Sequence, residues 1–214
     1  MIYRLLSLLI GYVFGLFETG FFIGKIKKRD IRESGSGNLG STNALRTYGK
    51  LLGFFTLLGD AFKCFFAMLL CMKIFGASDS GAAYLYAIYG AFGAVIGHDF
   101  PFFLKFKGGK GVACMSGMIL FTSLAMVPVP LFAFIIVVAL TGYVSLASIT
   151  VMVIIPTQFI IFGSQGWLNV AGVHLPEIYV VVILLALLTI FQHRSNIRRL
   201  LAGNENMIFR RKGK

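Results

Sequence analysis

Three short polar segments hold most of the residues in this chain that could do chemistry. The first is Ser34-Gly35-Ser36-Gly37-Asn38-Leu39-Gly40-Ser41-Thr42-Asn43, followed by Arg46. The second runs from Gly97-His98-Asp99-Phe100-Pro101 to Phe106-Lys107-Gly108-Gly109-Lys110-Gly111. The third is His193-Arg194-Ser195-Asn196-Ile197-Arg198-Arg199, with Gly203 and Glu205 behind it. The first two have the make-up of anion cradles. Glycine lets the backbone approach a ligand closely, and successive N–H groups in such a turn form a concavity that suits phosphate oxygens. A lysine beside it adds a point charge, and an arginine can grip two oxygens at once. Lys110-Gly111 leads directly into an apolar segment, so a helix N-terminus is expected to point into the same space.

Other chemistries fit less well. A nucleotide-binding P-loop needs Gly-Lys followed by Ser or Thr to reach magnesium, whereas Lys110 is followed by Gly111 and Val112. No ATP, no other cofactor and no metal are expected. Cys64, Cys71 and Cys114 are odd in number, lack metal-type spacing and lie in or beside apolar runs, which argues against a disulfide framework. His193 and Asn196 stand one helical turn apart and would share a face. His98, beside Pro101, reads as structural, and His174 as peripheral. Asp60 and Lys63 have the i, i+3 spacing of a self-contained ion pair, which suits a costly intramembrane position. Glu18 has no partner nearby in sequence.

The elements that must position these groups are membrane spans. Of 214 residues, 57% are hydrophobic and 13% charged, with mean hydropathy +0.85. A soluble domain carries roughly a quarter charged residues. In lipid every backbone amide needs an internal partner, and continuous apolar runs such as Val129–Leu140 favour helices over barrel strands. The sequence predicts an all-α polytopic membrane protein of seven spans, near 2–24, 52–75, 81–97, 112–127, 129–142, 146–163 and 177–193. The fifth and sixth are separated from their neighbours only by Val127-Pro128-Val129-Pro130 and Thr141-Gly142-Tyr143. The first apolar stretch is too long for a signal-peptide core and lacks a cleavage site. The formal net charge of +12 signals no nucleic acid. Instead the basic residues gather on one side: Lys25 to Lys50, Lys105 to Lys110, and Arg194 to Lys214. The other side has Arg4 and Lys73 with Asp79 and Glu177. This asymmetry predicts an outer N-terminus and a cytoplasmic C-terminus. No polar stretch is long enough for a separate core, so residues 1–214 are expected to form one membrane domain.

Taken together, the three segments resemble the bacterial acyl-phosphate:glycerol-3-phosphate acyltransferase family, usually called PlsY. The family pattern Ser-Gly-Asn-x-Gly-x-Thr-Asn is matched by Ser36 to Asn43, with Arg46 in its expected place. The stretch Gly97-His98 through Pro101 to Phe106–Ala113 matches a second motif. His193, Asn196-Ile197, Arg199, Gly203 and Glu205 match a third, and Asp60 with Lys63 and Tyr143 to Ser148 are also similar. The departures are Leu16, Glu18, Ser41 and Cys114, where serine, proline, alanine and threonine are usual.

The resemblance implies a seven-helix enzyme of the bacterial inner membrane, with its active site facing the cytoplasm. It would acylate glycerol 3-phosphate from acyl phosphate to give lysophosphatidic acid and phosphate. Ser36, Arg46, Lys110, His193 and Asn196 occupy the positions of the family's important polar residues. Gly37, Asn38, Thr42, Asn43, Lys107, Gly108, Gly109, Gly111 and Ser145 are the expected substrate-binding set. Asp60, Lys63, His98 and Glu205 are expected to be structural beside it. No obligate protein partner is expected, although the chain would work near the enzyme that makes acyl phosphate.

An acyl phosphate has a good leaving group, so positioning matters more than a strong nucleophile. No Asp or Glu adjoins His193 in sequence to orient it, which favours the donor's own phosphate as the base. Ser36 as an acyl-enzyme nucleophile lacks an activating neighbour. The rival reading is a transporter of an anionic solute, but transporter sites lie near the membrane midplane and these residues gather at one interface. The His-x4-Asp pattern of acyl-CoA-dependent enzymes is absent, since Asp99 directly follows His98.

Overall fold

The computed structural model describes residues 1–168 and 170–208. The expected basic residues Arg210, Arg211, Lys212 and Lys214 lie outside them. The described residues form ten α-helices joined by turns and single 3-10 turns, with no strand among them. The helices are α1 (Ile2–Gly15), α2 (Thr19–Ile26), α3 (Ser41–Tyr48), α4 (Lys50–Gly76) and α5 (Ala83–Asp99), then α6 (Val112–Thr122), α7 (Pro128–Thr141), α8 (Val144–Ser164), α9 (Leu175–Gln192) and α10 (Arg194–Leu201).

Among the described residues six stretches are long and apolar enough to cross a bilayer: Ile2–Ile26, Lys50–Gly76, Ser80–Leu104, Leu124–Thr141, Val144–Ser164 and Gly172–Gln192. The expected fourth span differs. Its helix ends at Thr122, because Ser123 is extended (φ −167°, ψ 134°). At ~1.5 Å per residue α6 reaches about 16 Å, roughly half the hydrocarbon thickness. The 3-10 turn Leu124–Met126 then leads into α7, whose prolines at 128 and 130 lie in its first turn, where no N–H partner is lost.

Helix α5 is buried on nearly every side and forms the centre of the bundle. It meets α1 along a seam of small residues. A Cβ on Gly11 would lie 2.0 Å from the Gly90 carbonyl oxygen, and one on Gly93 2.1 Å from that of Leu8. Only hydrogen at these positions lets the two backbones touch, and lipid offers no competing hydrophobic drive, so van der Waals contact holds the pair. Helix α7 is the opposite case, almost wholly outward-facing and the most apolar, as a lipid-facing helix must be.

The first span is broken at Leu16–Glu18, where Glu18 is extended (φ −85°, ψ 94°). The carbonyls freed there are taken by Lys63 Nζ, at 3.1 Å from Gly15 O and 2.8 Å from Phe17 O. Lys63 also pairs with Asp60 (3.2 Å) and Glu18 (3.4 Å), and Thr19 donates to Asp60 (2.9 Å). Glu18, unpartnered by sequence, therefore has two partners in space. Its Oε1 also lies 2.9 Å from His98 Nδ1. At the far end of the bundle Arg4 makes a two-pronged pair with Glu177, which also accepts from Tyr89.

Candidate active site

The last turns of α2, α5, α7 and α9 and the first turns of α3, α4, α6, α8 and α10 meet at one end of the bundle, with the three polar segments between them. The first segment is folded around Asn43, which is 2% exposed. Its Oδ1 accepts from Ser36 N at 2.9 Å, and its Nδ2 donates to the carbonyls of Ile31, Ser34 and Asn38 at 2.9–3.0 Å. Both ends of the Asn43 amide are engaged in shaping the loop that presents Ser36. Gly35 at φ +59° passes close over this amide, where a Cβ would meet Asn43 Oδ1 at 2.2 Å.

The second segment hangs from the end of α5. The N–H groups of Gly108 and Gly109 donate to the carbonyls of Asp99 (3.1 Å) and His98 (2.9 Å). The donors of these two glycines, expected to serve an anion, are engaged within the loop. Gly109 lies flat against the imidazole, and a Cβ there would fall 1.9 Å from His98 Nε2. His98 Nδ1 lies in turn within 2.8 Å of Lys63 Nζ. The intramembrane cluster thus supports the loop that carries Lys110.

The third segment begins where α9 ends. His193 is 4% exposed, and its Nδ1 lies 2.8 Å from the Thr189 carbonyl. A carbonyl only accepts, so Nδ1 carries the proton and Nε2 keeps its lone pair. Burial and the neighbouring Lys110 charge push His193 down to about 4, so the ring is neutral. Lys110 donates to Asn196 Oδ1, and Asn196 donates to Glu205 Oε1 at 2.7 Å. Glu205 also accepts from Ser145 (3.1 Å) and Arg199 (2.7 Å). These donors hold the Glu205 carboxyl below its usual range despite burial. Burial first, then the Arg199, Arg194 and Arg46 charges, bring Lys110 down to about 8. Residues 202–208 cross the site as a strap: Arg46 donates to the Asn206 carbonyl (3.2 Å) and Ile208 N to that of Gly142 (2.9 Å).

Between these segments lies a cavity of about 770 Å³, within the range of small-molecule sites. Its rim carries Ser36, Asn38, Thr42, Asn43, Arg46, Lys110, Gly111, Ser145, His193, Asn196 and Glu205. Asp60 and His98 reach its wall, whereas Gly37, Lys63, Lys107, Gly108 and Gly109 do not line it, nor does His174. Sequence reasoning missed the apolar part, built from Phe54 and Leu57 of α4, Ile119 of α6, Leu131 and Phe134 of α7, and Ile155 of α8. The first turns of α3, α6 and α8 also open onto it. The opening N–H groups of each have no partner in the helix, so three positive helix ends face one space.

Fold and site together define an all-helical integral membrane protein with a basic, hydrogen-bonding rim above an apolar arm. Residues 5–203 match the model of the family described as glycerol-3-phosphate acyltransferase. The chain is 39% identical over 198 residues to the glycerol-3-phosphate acyltransferase of Desulfotalea psychrophila, covering 92% of this chain and 94% of that one. It is 38% identical over 203 residues to that of Thermosipho melanesiensis, with 93% and 90% covered. Its structure is similar to the crystal structure of PlsY (YgiH), an integral membrane glycerol 3-phosphate acyltransferase, in the glycerol 3-phosphate form. That match has a TM-score of 0.80 and 32% identity over 96% of each chain. The lysophosphatidic acid form gives 0.79 and 30%, over 96% of this chain and 95% of that one. The chain belongs to the glycerol-3-phosphate acyltransferase family and is an integral membrane acyltransferase.

Proposed function

We propose that this enzyme moves an acyl group from acyl phosphate to the sn-1 hydroxyl of glycerol 3-phosphate, releasing lysophosphatidic acid and phosphate. The observation that carries the reading is the continuity of one cavity from a cationic rim into an apolar arm. A pair of substrates with two phosphates and one long tail between them fits that shape. The solved relatives described as glycerol 3-phosphate and lysophosphatidic acid forms support the acceptor and product.

In this reading Lys110, Arg46 and the helix ends of α3 and α6 hold the acceptor's phosphate, while Ser36 and Asn196 orient the reacting groups. The sn-1 oxygen forms the new C–O bond, the carbonyl-to-phosphate C–O bond breaks, and phosphate departs with its electron pair. His193, neutral with Nε2 free, accepts the hydrogen bond of the attacking hydroxyl. Burial and the Lys110 charge make the ring a weak base, and the proton passes to the departing phosphate. The summed positive field of the rim stabilises charge on that phosphate, and fixing both substrates supplies about 7–11 kcal/mol.

The basic rim faces the cytoplasm of the bacterial inner membrane, and the N-terminus lies outside. The whole chain acts as one domain. The test uses purified protein in lipid mesophase, supplied with glycerol 3-phosphate and either palmitoyl phosphate or palmitoyl-CoA. Lysophosphatidate from the phosphate donor alone, lost in Lys110→Ala, is the expected result. Product from palmitoyl-CoA, or none from either donor, overturns the reading.

A further inference from the structure

The lining of the cavity's apolar arm stops at Ile155 on α8. Along α8 its lining runs from Ser145 to Ile155, which at ~1.5 Å per residue is about 15 Å. That depth is half the ~30 Å hydrocarbon core, one leaflet. At the bottom stand Ile119 from α6, Val127 and Pro130 from the α6–α7 corner, and Ile155. Ile155 is 1% exposed.

Directly beneath, one turn further along α8, is Gln158. It is 7% exposed, and its Nε2 donates to the Met126 carbonyl at 3.2 Å. Its Oε1 is buried without a partner among the described residues. An amide at this depth is costly. It has a reason to be there, because the α6–α7 corner leaves helical geometry at membrane depth. Backbone of that kind persists only where protein satisfies its polar groups. Gln158 does so for Met126, and by doing so ties the corner to α8 across the end of the arm.

We propose that this corner is the stop that sets the length of the acyl chain transferred. Ile155 and Val127 form its floor, and Gln158 is the positioning residue that holds the floor in place. The proposal rests on the acyltransferase reading above and adds what that reading leaves open, the choice among donors.

The experiment offers lauroyl, myristoyl, palmitoyl and stearoyl phosphate in competition to the enzyme in lipid mesophase, and measures the lysophosphatidate species formed. Ile155→Ala deepens the arm and should raise the ratio of longer to shorter product about tenfold or more, the discrimination a methylene group carries. Val127→Phe should shift the ratio the other way. Gln158→Leu should broaden the profile while leaving KM for glycerol 3-phosphate unchanged, which general damage to the fold would not do. If Gln158→Leu does not fold, the opposite shifts of the two floor variants still decide the matter. Profiles unchanged from wild type in both floor variants overturn the stop and leave the acyltransferase reading intact. No product from any donor with folded wild-type protein sinks the reading beneath it as well.

Discussion

His193 shows how one side chain's role follows from what its two nitrogens meet. The Thr189 carbonyl holds the proton on Nδ1, and Lys110 nearby disfavours a second one. Lys110 is lowered to about 8 by burial and by three arginines. A lysine loses its charge as pH rises, so kcat/KM for glycerol 3-phosphate should fall through an apparent pKa near 8. The limb in kcat should lie higher, because bound phosphate favours the charged form. A pH profile of wild type beside Lys110→Arg checks this, since arginine keeps its charge and should move the limb upward. Lys110→Ala should lose about 10²–10³-fold in kcat. Deeper in the bundle, Lys63 serves two carbonyls and two carboxylates. Lys63→Met leaves those carboxylates buried without their cation and should destabilise the protein by about 3–5 kcal/mol. Thermal unfolding in detergent measures it.

At the scale of elements, two devices hold the site: the glycine seam of α1 and α5, and the loop wound on Asn43. Gly93→Leu places a side chain into the Leu8 carbonyl and should prevent assembly of the folded protein. Gly172→Ala, where nothing lies within 4 Å, should be neutral. Comparing the yield of monodisperse protein distinguishes the two. Asn43→Ala removes four hydrogen bonds from the loop below Ser36. Each contributes about 0.5–1.5 kcal/mol, so activity and thermal stability should fall together. A loss of activity without any loss of stability would instead mark Asn43 as a substrate contact.

For the molecule as a whole, the prediction concerns sidedness. Cys64, Cys71 and Cys114 are fully buried, so the native chain should resist a membrane-impermeant maleimide in right-side-out cells. Ser78→Cys, at the exposed turn between α4 and α5, should then label from outside. Lys27→Cys, exposed after α2, should label only after the membrane is opened. The reverse pattern would invert the proposed topology. Helix α7 is the least buried of the long apolar helices and α5 the most, so the molecule turns its most apolar helix outward and keeps its glycine-rich one inside.

Much of this was legible without coordinates. Scarce charge and long apolar runs exclude a water-covered surface, which leaves helices as the solution to backbone hydrogen bonding in lipid. The three polar segments announce themselves because membrane interiors tolerate so few such residues. The Asp60–Lys63 pair follows from helical spacing alone. Other features depend on residues far apart in sequence. Glu18 had no visible partner because Lys63 and His98 reach it from α4 and α5. Gly108 and Gly109 read as anion donors, yet their N–H groups turn back to the carbonyls of α5, because a loop anchored to a helix end satisfies that end first. The apolar arm was invisible as well, since its lining residues are the same types that face lipid. Composition tells lipid-facing from cavity-facing leucine no better than a solvent scale can; only the packing of α4, α6, α7 and α8 decides which apolar face encloses a space.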